Sequence, residues 1–335
     1  MIRVNQALDS PEVLEAAVAV NRLLRRTGPS EIFSSEIPAS PSRGVRNFDE
    51  YVTSGHDAQN DVLLVHIAGH HPQLIDWLMR RPERVIAACH SVDALASDGL
   101  RLLRHRADAA LVFSPDDVSV LERLGFSTVI STTLPLDPAE LIRTPPDEHA
   151  VAGISGPLLL AAGPVTPQRC VHHLLLAYDA LVTYERPDAN LVVAGPSGPP
   201  DYVAAIRRMM AGLELTQVRL DVWPTDNQLA AYYRRSSMFI SASEHESLGL
   251  DLRRALAFGA PIVARRATGV ARAVGSAAFL VGLNESPSLL SAAMAAVLDQ
   301  AELHDELAAR SREAHEGAGA ADGRSAFVQS LLAVL

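Results

Sequence analysis

Cysteine is scarce in this chain: Cys89 and Cys170 are the two among 335 residues. Two thiols cannot build the disulfide framework that holds small oxidised domains together, so a reducing compartment, and hence a cytoplasmic location, is expected. Long apolar runs are missing too. His, Asp or Arg breaks each hydrophobic stretch well short of the roughly 18 residues that a membrane span requires. The opening residues, 1–18, contain no apolar signal core. Positive charge is outweighed, with 29 Lys and Arg against 39 Asp and Glu and a net charge of −10. That balance argues against broad, backbone-driven nucleic-acid binding, which needs basic surface.

What is present describes a protein that forms a core. The chain is 48% hydrophobic and 20% charged, a globular profile, and its length is comfortable for two domains. Strand-like and helix-like runs alternate throughout, which predicts parallel sheets wound by helices. In the first half the pattern predicts strands over 2–7, 32–33, 61–67, 84–89, 109–113 and 128–132. Helices are predicted over 11–26, 72–80 and 115–124, and 38–60 reads as loop. Arg22, Arg25 and Arg26 read as a solvated helix face. The stretch 135–157 holds Pro135, Pro138, Pro145, Pro146 and Pro157 with no sustained apolar period, and reads as a linker. The expected division is a first domain over 1–145, a second over 146–318, and a terminal helix over 319–335 that crosses back to the first.

The run from Ser241 to Val263 carries the most information. Met238 to Ala242 reads as a strand, followed by a polar turn with Glu244, His245 and Glu246, then Gly249 and a helix to Phe258. Gly259 ends that helix, Pro261 blocks its continuation, and Ile262 starts another strand. A glycine at a helix start lets a ligand approach the unpaired N–H groups of the first turn, which together with the helix dipole favour an anion such as a diphosphate. An ordinary strand–loop–helix unit fits the same spacing.

In register, Glu246, Gly249, Leu250, Ala255, Ala257, Gly259 and Pro261 match the signature of the large family of retaining GT-B glycosyltransferases (glycosyl transferases group 1), with a degenerate donor motif. The blocks 158–178, 190–198 and 225–243 resemble that family's phosphate loop, its next strand and glycine turn, and the strand before its glutamate. The resemblance implies two Rossmann-like domains facing each other across a cleft, the first for the acceptor and the second for the nucleotide-sugar donor. It implies transfer of a sugar from a nucleotide diphosphate sugar with retention of anomeric configuration, to a small-molecule, glycan or lipid-linked acceptor. No cofactor and no metal are expected. An oligomer of one or two kinds of chain is compatible with the sequence.

Residue by residue, the resemblance implies Glu246 as a ligand of the donor sugar; a helix-capping carboxylate is the plainer alternative. Relatives clamp phosphate with an Arg and a Lys five positions apart. Here those positions are Pro164 and Arg169, so one cation is lost and the other changes its reach. Gly163, Ser247, Gly249 and Leu250 fall on donor-binding positions. The family's ribose-binding glutamate falls on Arg254, which donates hydrogen bonds where a carboxylate accepts them. Arg254 is expected to meet an anion, to pair with Glu246 when no ligand is bound, or to face solvent. His90 is the first-half histidine expected near the reacting sugar, with His66 the second candidate and His70 and His71 extending the same loop. The glycine-rich loop of relatives is missing from residues 7–12. These departures leave open a glycosyltransferase-fold binding or partner protein without transfer activity. An epimerase or a phosphorylase of the same fold fits less well.

Overall fold

The computed structural model describes residues 3–8, 20, 32–34, 45–47, 61–67, 76, 78–80, 84–90, 97–132, 138–246, 249–267, 269–317 and 323–334. The chain forms two compact units. Unit 1 comprises Met1–Leu136 with Ala320–Leu335, and unit 2 comprises Asp137–Gly319.

Unit 1 contains β1 (Arg3–Leu8), β2 (Ile32–Ser34), β3 (Val45–Asn47), β4 (Asp61–Ile67), β5 (Arg84–Cys89), β6 (Ala109–Val112) and β7 (Val129–Ser131), with helices α1 (Ser97–Leu103) and α2 (Pro115–Leu124). The strands form one parallel sheet in the order β3-β2-β1-β4-β5-β6-β7. The middle strands carry continuous aliphatic runs because a parallel sheet is covered on both faces. Leu63, Val65, Val85, Ala87, Ala110 and Val112 join Leu100, Leu103, Leu121 and Phe126 in one core, and Cys89 is buried among them. β3 falls inside the stretch expected to be loop. Three residues at a sheet edge are too few to show an alternating pattern, and pairing with β2 defines the strand. Most of the predicted helices 11–26 and 72–80, with Arg22, Arg25 and Arg26, lies outside the described residues.

Unit 2 contains β8 (Leu158–Ala162), β9 (Asn190–Gly195), β10 (Val218–Val222), β11 (Met238–Ser241), β12 (Ile262–Arg265) and β13 (Ala278–Val281). Its helices are α3 (Glu140–Arg143), α4 (Val171–Tyr184), α5 (Pro200–Gly212), α6 (Asp226–Arg235), α7 (Leu250–Ala257), α8 (Val270–Val274), α9 (Pro287–Asp299) and α10 (Ala301–Gly317). The parallel sheet runs β10-β9-β8-β11-β12-β13, the doubly wound order in which the chain reverses direction between its first and fourth strands. Alternate residues of each strand serve opposite layers. Leu159, Leu191, Val193 and Ile240 pack with Leu174, Tyr178 and Leu181 of α4 and Met294 of α9. Leu160, Val192, Phe239 and Ile262 pack with Tyr232 of α6 and Leu252 of α7 on the other face. Each fully buried aliphatic side chain contributes about 1.5–3 kcal/mol to holding these layers together.

From Pro138 onward the proline-rich stretch is fastened to unit 2. Asn227 donates to the Pro145 carbonyl at 2.7 Å, and the Asp147 amide donates to the Asn227 carbonyl at 2.9 Å. Arg234 donates to the Thr144 carbonyl at 3.2 Å. Proline removes a donor but keeps its acceptor, so a segment that cannot enter a sheet can still be held by its carbonyls. The last helix, α11 (Gly323–Val334), belongs to unit 1 and lies against β6. Phe327 and Leu331 are buried there, and Arg84 donates to the Val334 carbonyl at 2.7 Å. Among the described residues no helix is long and apolar enough to cross a membrane.

Candidate active site

In unit 2 the chain leaves β8 and β11, the two strands that flank the reversal point, and the loops after them meet. After β8 come Gly163, with φ +131°, and a single turn Pro167–Arg169 that leads into α4. After β11, Glu244 donates its backbone N–H to the Gln168 carbonyl at 2.9 Å, so the two loops are tied together. The first loop also lies hard against β9. A methyl group on Gly195 would fall 2.1 Å from the Gly163 carbonyl oxygen, so only glycine allows that approach.

This arrangement gathers four charged side chains. Arg169 Nη1 donates to Glu246 Oε2 in a short ion pair, and its Nη2 lies 3.9 Å from Asp251 Oδ2. Asp251, in the first turn of α7, also accepts from Arg254 at 3.4 Å. Gly163 abuts the cluster, for a methyl group there would sit 3.0 Å from Asp251 Oδ2 and 3.3 Å from the guanidinium carbon of Arg169. Glu246 is 2% exposed. Burial pushes its carboxyl above the ordinary range, while Arg169 and the Gly249 amide pull it back.

Glu246 thus lies beside the backbone at the start of α7 and faces a cation, a position compatible with both the capping and the ligand reading. Gly249 is the N-cap of α7 in the left-handed region, φ +61°. A side chain there would meet Ala273 Cβ of α8 at 2.4 Å, so this glycine serves packing as well as any approach of a ligand. Leu250 opens α7 and is half-buried. Ser247 lies outside the described residues.

Of the alternatives for Arg254, the structure shows contact with a carboxylate, that of Asp251: Arg169 occupies the Glu246 carboxylate, and α7 places Arg254 one turn beyond Asp251. Asp251 itself was missed. Its signal was the three-residue spacing to Arg254, which puts the pair on one helix face. Next to Arg169, burial and the Glu244 carboxylate push the Cys170 thiol up to about 11.

In unit 1 the first-half candidates form a pair. His66, at the end of β4, and His90, just after β5, approach to 2.8 Å between His66 Nδ1 and His90 Nε2. The register of β4 on β5 brings the two strand ends together. Both are buried, and His90 also packs on Phe113 with ring centroids 4.7 Å apart. Burial lowers His66 to about 3, and burial with the neighbouring imidazole lowers His90 well below its ordinary value. The pair is therefore neutral, one ring donating and the other accepting. His90 Nδ1 is buried and has no hydrogen-bond partner among the described residues. His70 and His71 lie outside them.

Comparison with known proteins adds three findings. Residues 148–314 match the family "Glycosyl transferases group 1". A D-inositol 3-phosphate glycosyltransferase of Pseudarthrobacter chlorophenolicus is 32% identical over 105 residues, 30% of this chain and 24% of that protein. The match thus spans about a quarter of that relative's length. Among solved structures, Anabaena HepE in complex with UDP and glucose is 13% identical, covers all of both chains and superposes with a TM-score of 0.76. Sucrose-phosphate synthase from Thermosynechococcus elongatus is 17% identical over 98% of each chain, with a TM-score of 0.69. At such identities the likeness is one of fold, and the two parallel α/β sheets have the GT-B architecture. Through residues 148–314, the chain belongs to the glycosyl transferases group 1 family.

Proposed function

We propose that this protein is a retaining glycosyltransferase that moves a sugar from a nucleotide diphosphate sugar to an acceptor hydroxyl. The observation that carries the reading is the contact of Arg169 with Glu246 beside the start of α7, at the reversal point of the unit 2 sheet. Ligands of open α/β sheets bind at that point, beyond the carboxyl ends of the strands. The α7 amides and Arg169 stabilise the departing diphosphate, and Glu246 accepts hydrogen bonds from hydroxyls of the donor sugar. The bond from the anomeric carbon to the diphosphate breaks as the acceptor oxygen bonds to the same face, and the hydroxyl proton passes to the diphosphate.

His90 is the unit 1 group assigned to the donor sugar, as the neutral imidazole that its burial enforces. Arg169 and the helix dipole supply the positive charge, so the transfer is read as needing no metal and no organic cofactor. Arg254 and Asp251 replace the ribose-binding carboxylate of relatives and set the preference for the nucleoside. HepE was crystallised with UDP and glucose, which makes UDP-sugars the first donors to try. The acceptor is read as a small molecule, a glycan or a lipid-linked glycan, and the site of action as the cytoplasm.

The test is isothermal titration with UDP, GDP and ADP, followed by donor hydrolysis assayed without acceptor. One nucleoside diphosphate should bind, and Arg169→Ala should weaken it at least tenfold. If none binds and no donor is hydrolysed, the protein is a binding or partner protein on the same fold.

A further inference from the structure

The start of α4 carries a cluster that the donor site does not use. Cys170 Sγ and one ring nitrogen each of His172 and His173 lie within 4.8 Å of one another. Cys170 occupies the left-handed region, φ 49°, which non-glycine residues adopt rarely. That conformation joins the Pro167–Arg169 turn to α4 and sets the thiol beside the first helical turn. The two imidazoles are tilted at 59° with centroids 4.5 Å apart. Glu244, tied by its backbone N–H to the Gln168 carbonyl, brings its carboxylate towards Cys170 from the β11 loop.

We propose that Cys170, His172 and His173 form a site for a borderline divalent transition ion such as Zn2+, completed by the Glu244 carboxylate. Thiolate, imidazole and carboxylate are the donors such ions take, whereas Mg2+ and Ca2+ prefer oxygen alone. Zinc–ligand bonds of about 2.0–2.3 Å place tetrahedral ligand atoms roughly 3.3–3.7 Å apart, so about 1 Å of side-chain rotation closes the present spread. Binding forms a metal–sulfur bond and releases the thiol proton to solvent. The contact of the thiol with the Pro167 carbonyl, 3.4 Å, is given up. The Tyr202 hydroxyl oxygen, 3.0 Å from His172 Nδ1, can accept a hydrogen bond from Nδ1–H and leave Nε2 for the ion. His173 must release its 3.2 Å contact with Arg265. Arg265 keeps the carbonyls of Ala242 and Leu283, and the thiolate and carboxylate balance the two charges of the ion. Cys170 follows Arg169 and Glu244 precedes Glu246 by two positions, so a bound ion would clasp the two loops that carry the donor-site charges.

The test uses the full chain, free of any histidine tag, stripped with a chelator and titrated with Co2+ as the probe. One equivalent should bind with a thiolate-to-cobalt charge-transfer band that Zn2+ abolishes. Cys89→Ala should keep the band, Cys170→Ser should lose it, and His172→Gln should weaken binding at least tenfold. A second reading needs no substitution: Zn2+ should slow alkylation of Cys170 in the wild-type chain. Absence of the band, its survival in Cys170→Ser, or alkylation indifferent to Zn2+ overturns the proposal.

Discussion

Substituting Arg169 by Met tests how the buried carboxylate of Glu246 is held. Glu246 is 2% exposed, and Arg169 is the largest influence that keeps it ionised against burial. Without the guanidinium, the charge must stay buried and uncompensated, at a typical cost of 3–5 kcal/mol, or take up a proton. Protonation sets the ceiling. Neutralising a carboxyl whose ordinary value is 4.5 costs about 3.4 kcal/mol at pH 7 and about 2 kcal/mol at pH 6. In the variant the folded-state pKa of Glu246 rises further above its unfolded value. The variant therefore recovers stability as pH falls and loses it as pH rises through that folded pKa.

The assay is urea unfolding of unit 2 at pH 5, 6, 7 and 8. Trp223 lies in unit 2 and Trp77 in unit 1, so a Trp77→Phe background makes Trp223 fluorescence the reporter of the second unit. Arg169→Met should cost up to about 3 kcal/mol at pH 7 and markedly less at pH 5. Adding Glu246→Gln should return part of that loss at pH 7, because the charge is gone. A penalty of equal size at every pH, or a double variant weaker than Arg169→Met alone, refutes the argument.

Further outcomes follow from the same structure. Unit 1 should be sensitive to acid: His66 is held near 3 while its unfolded value is 6.5. The stability it contributes is present above pH 6.5 and lost as pH falls towards 3, about 2 kcal/mol by pH 5. Unfolding followed by Trp77 in a Trp223→Phe background reads this, and a flat profile between pH 7 and 5 would contradict it. Gly249→Ala should destabilise unit 2 by about 2 kcal/mol or more, and adding Ala273→Gly should restore part of it, because the two methyl groups would otherwise stand 2.4 Å apart. Chemical unfolding of both variants checks the pair, and no rescue would point to backbone strain alone. Glu246→Ala and Arg169→Ala should each lower turnover roughly 30- to 1,000-fold, as expected for losing a charged partner worth about 2–4 kcal/mol in the transition state. Steady-state kinetics on a responsive donor decides this.

The alternation of aliphatic strands with helical runs was enough to read two parallel sheets, because strands buried on both faces leave unbroken apolar stretches such as 62–65 and 85–89. β3 was invisible because its three residues owe their conformation to a neighbour. In unit 2, Glu246, Gly249 and Arg169 were legible from the register of one motif. Asp251 was not, since its importance depends on which face of α7 turns towards Gly163. The His66–His90 contact joins residues 24 positions apart through strand register, a tertiary fact that no local pattern records. The proline-rich stretch contains the division between the units, between Leu136 and Asp137, but proline content reports a missing donor and says nothing of where the carbonyls are bonded.

The position of α11 has a consequence for how the chain is made. Unit 2 is built from one uninterrupted segment, whereas unit 1 draws its buried Phe327 and Leu331 from beyond it. During synthesis from the N-terminus, unit 2 has all of its strands and helices once α10 has emerged, while the first sheet still lacks the helix that covers β6. The segment made first is thus the one completed last. A chain cut after α10 would keep every strand of the first sheet and lose the helix that packs on β6.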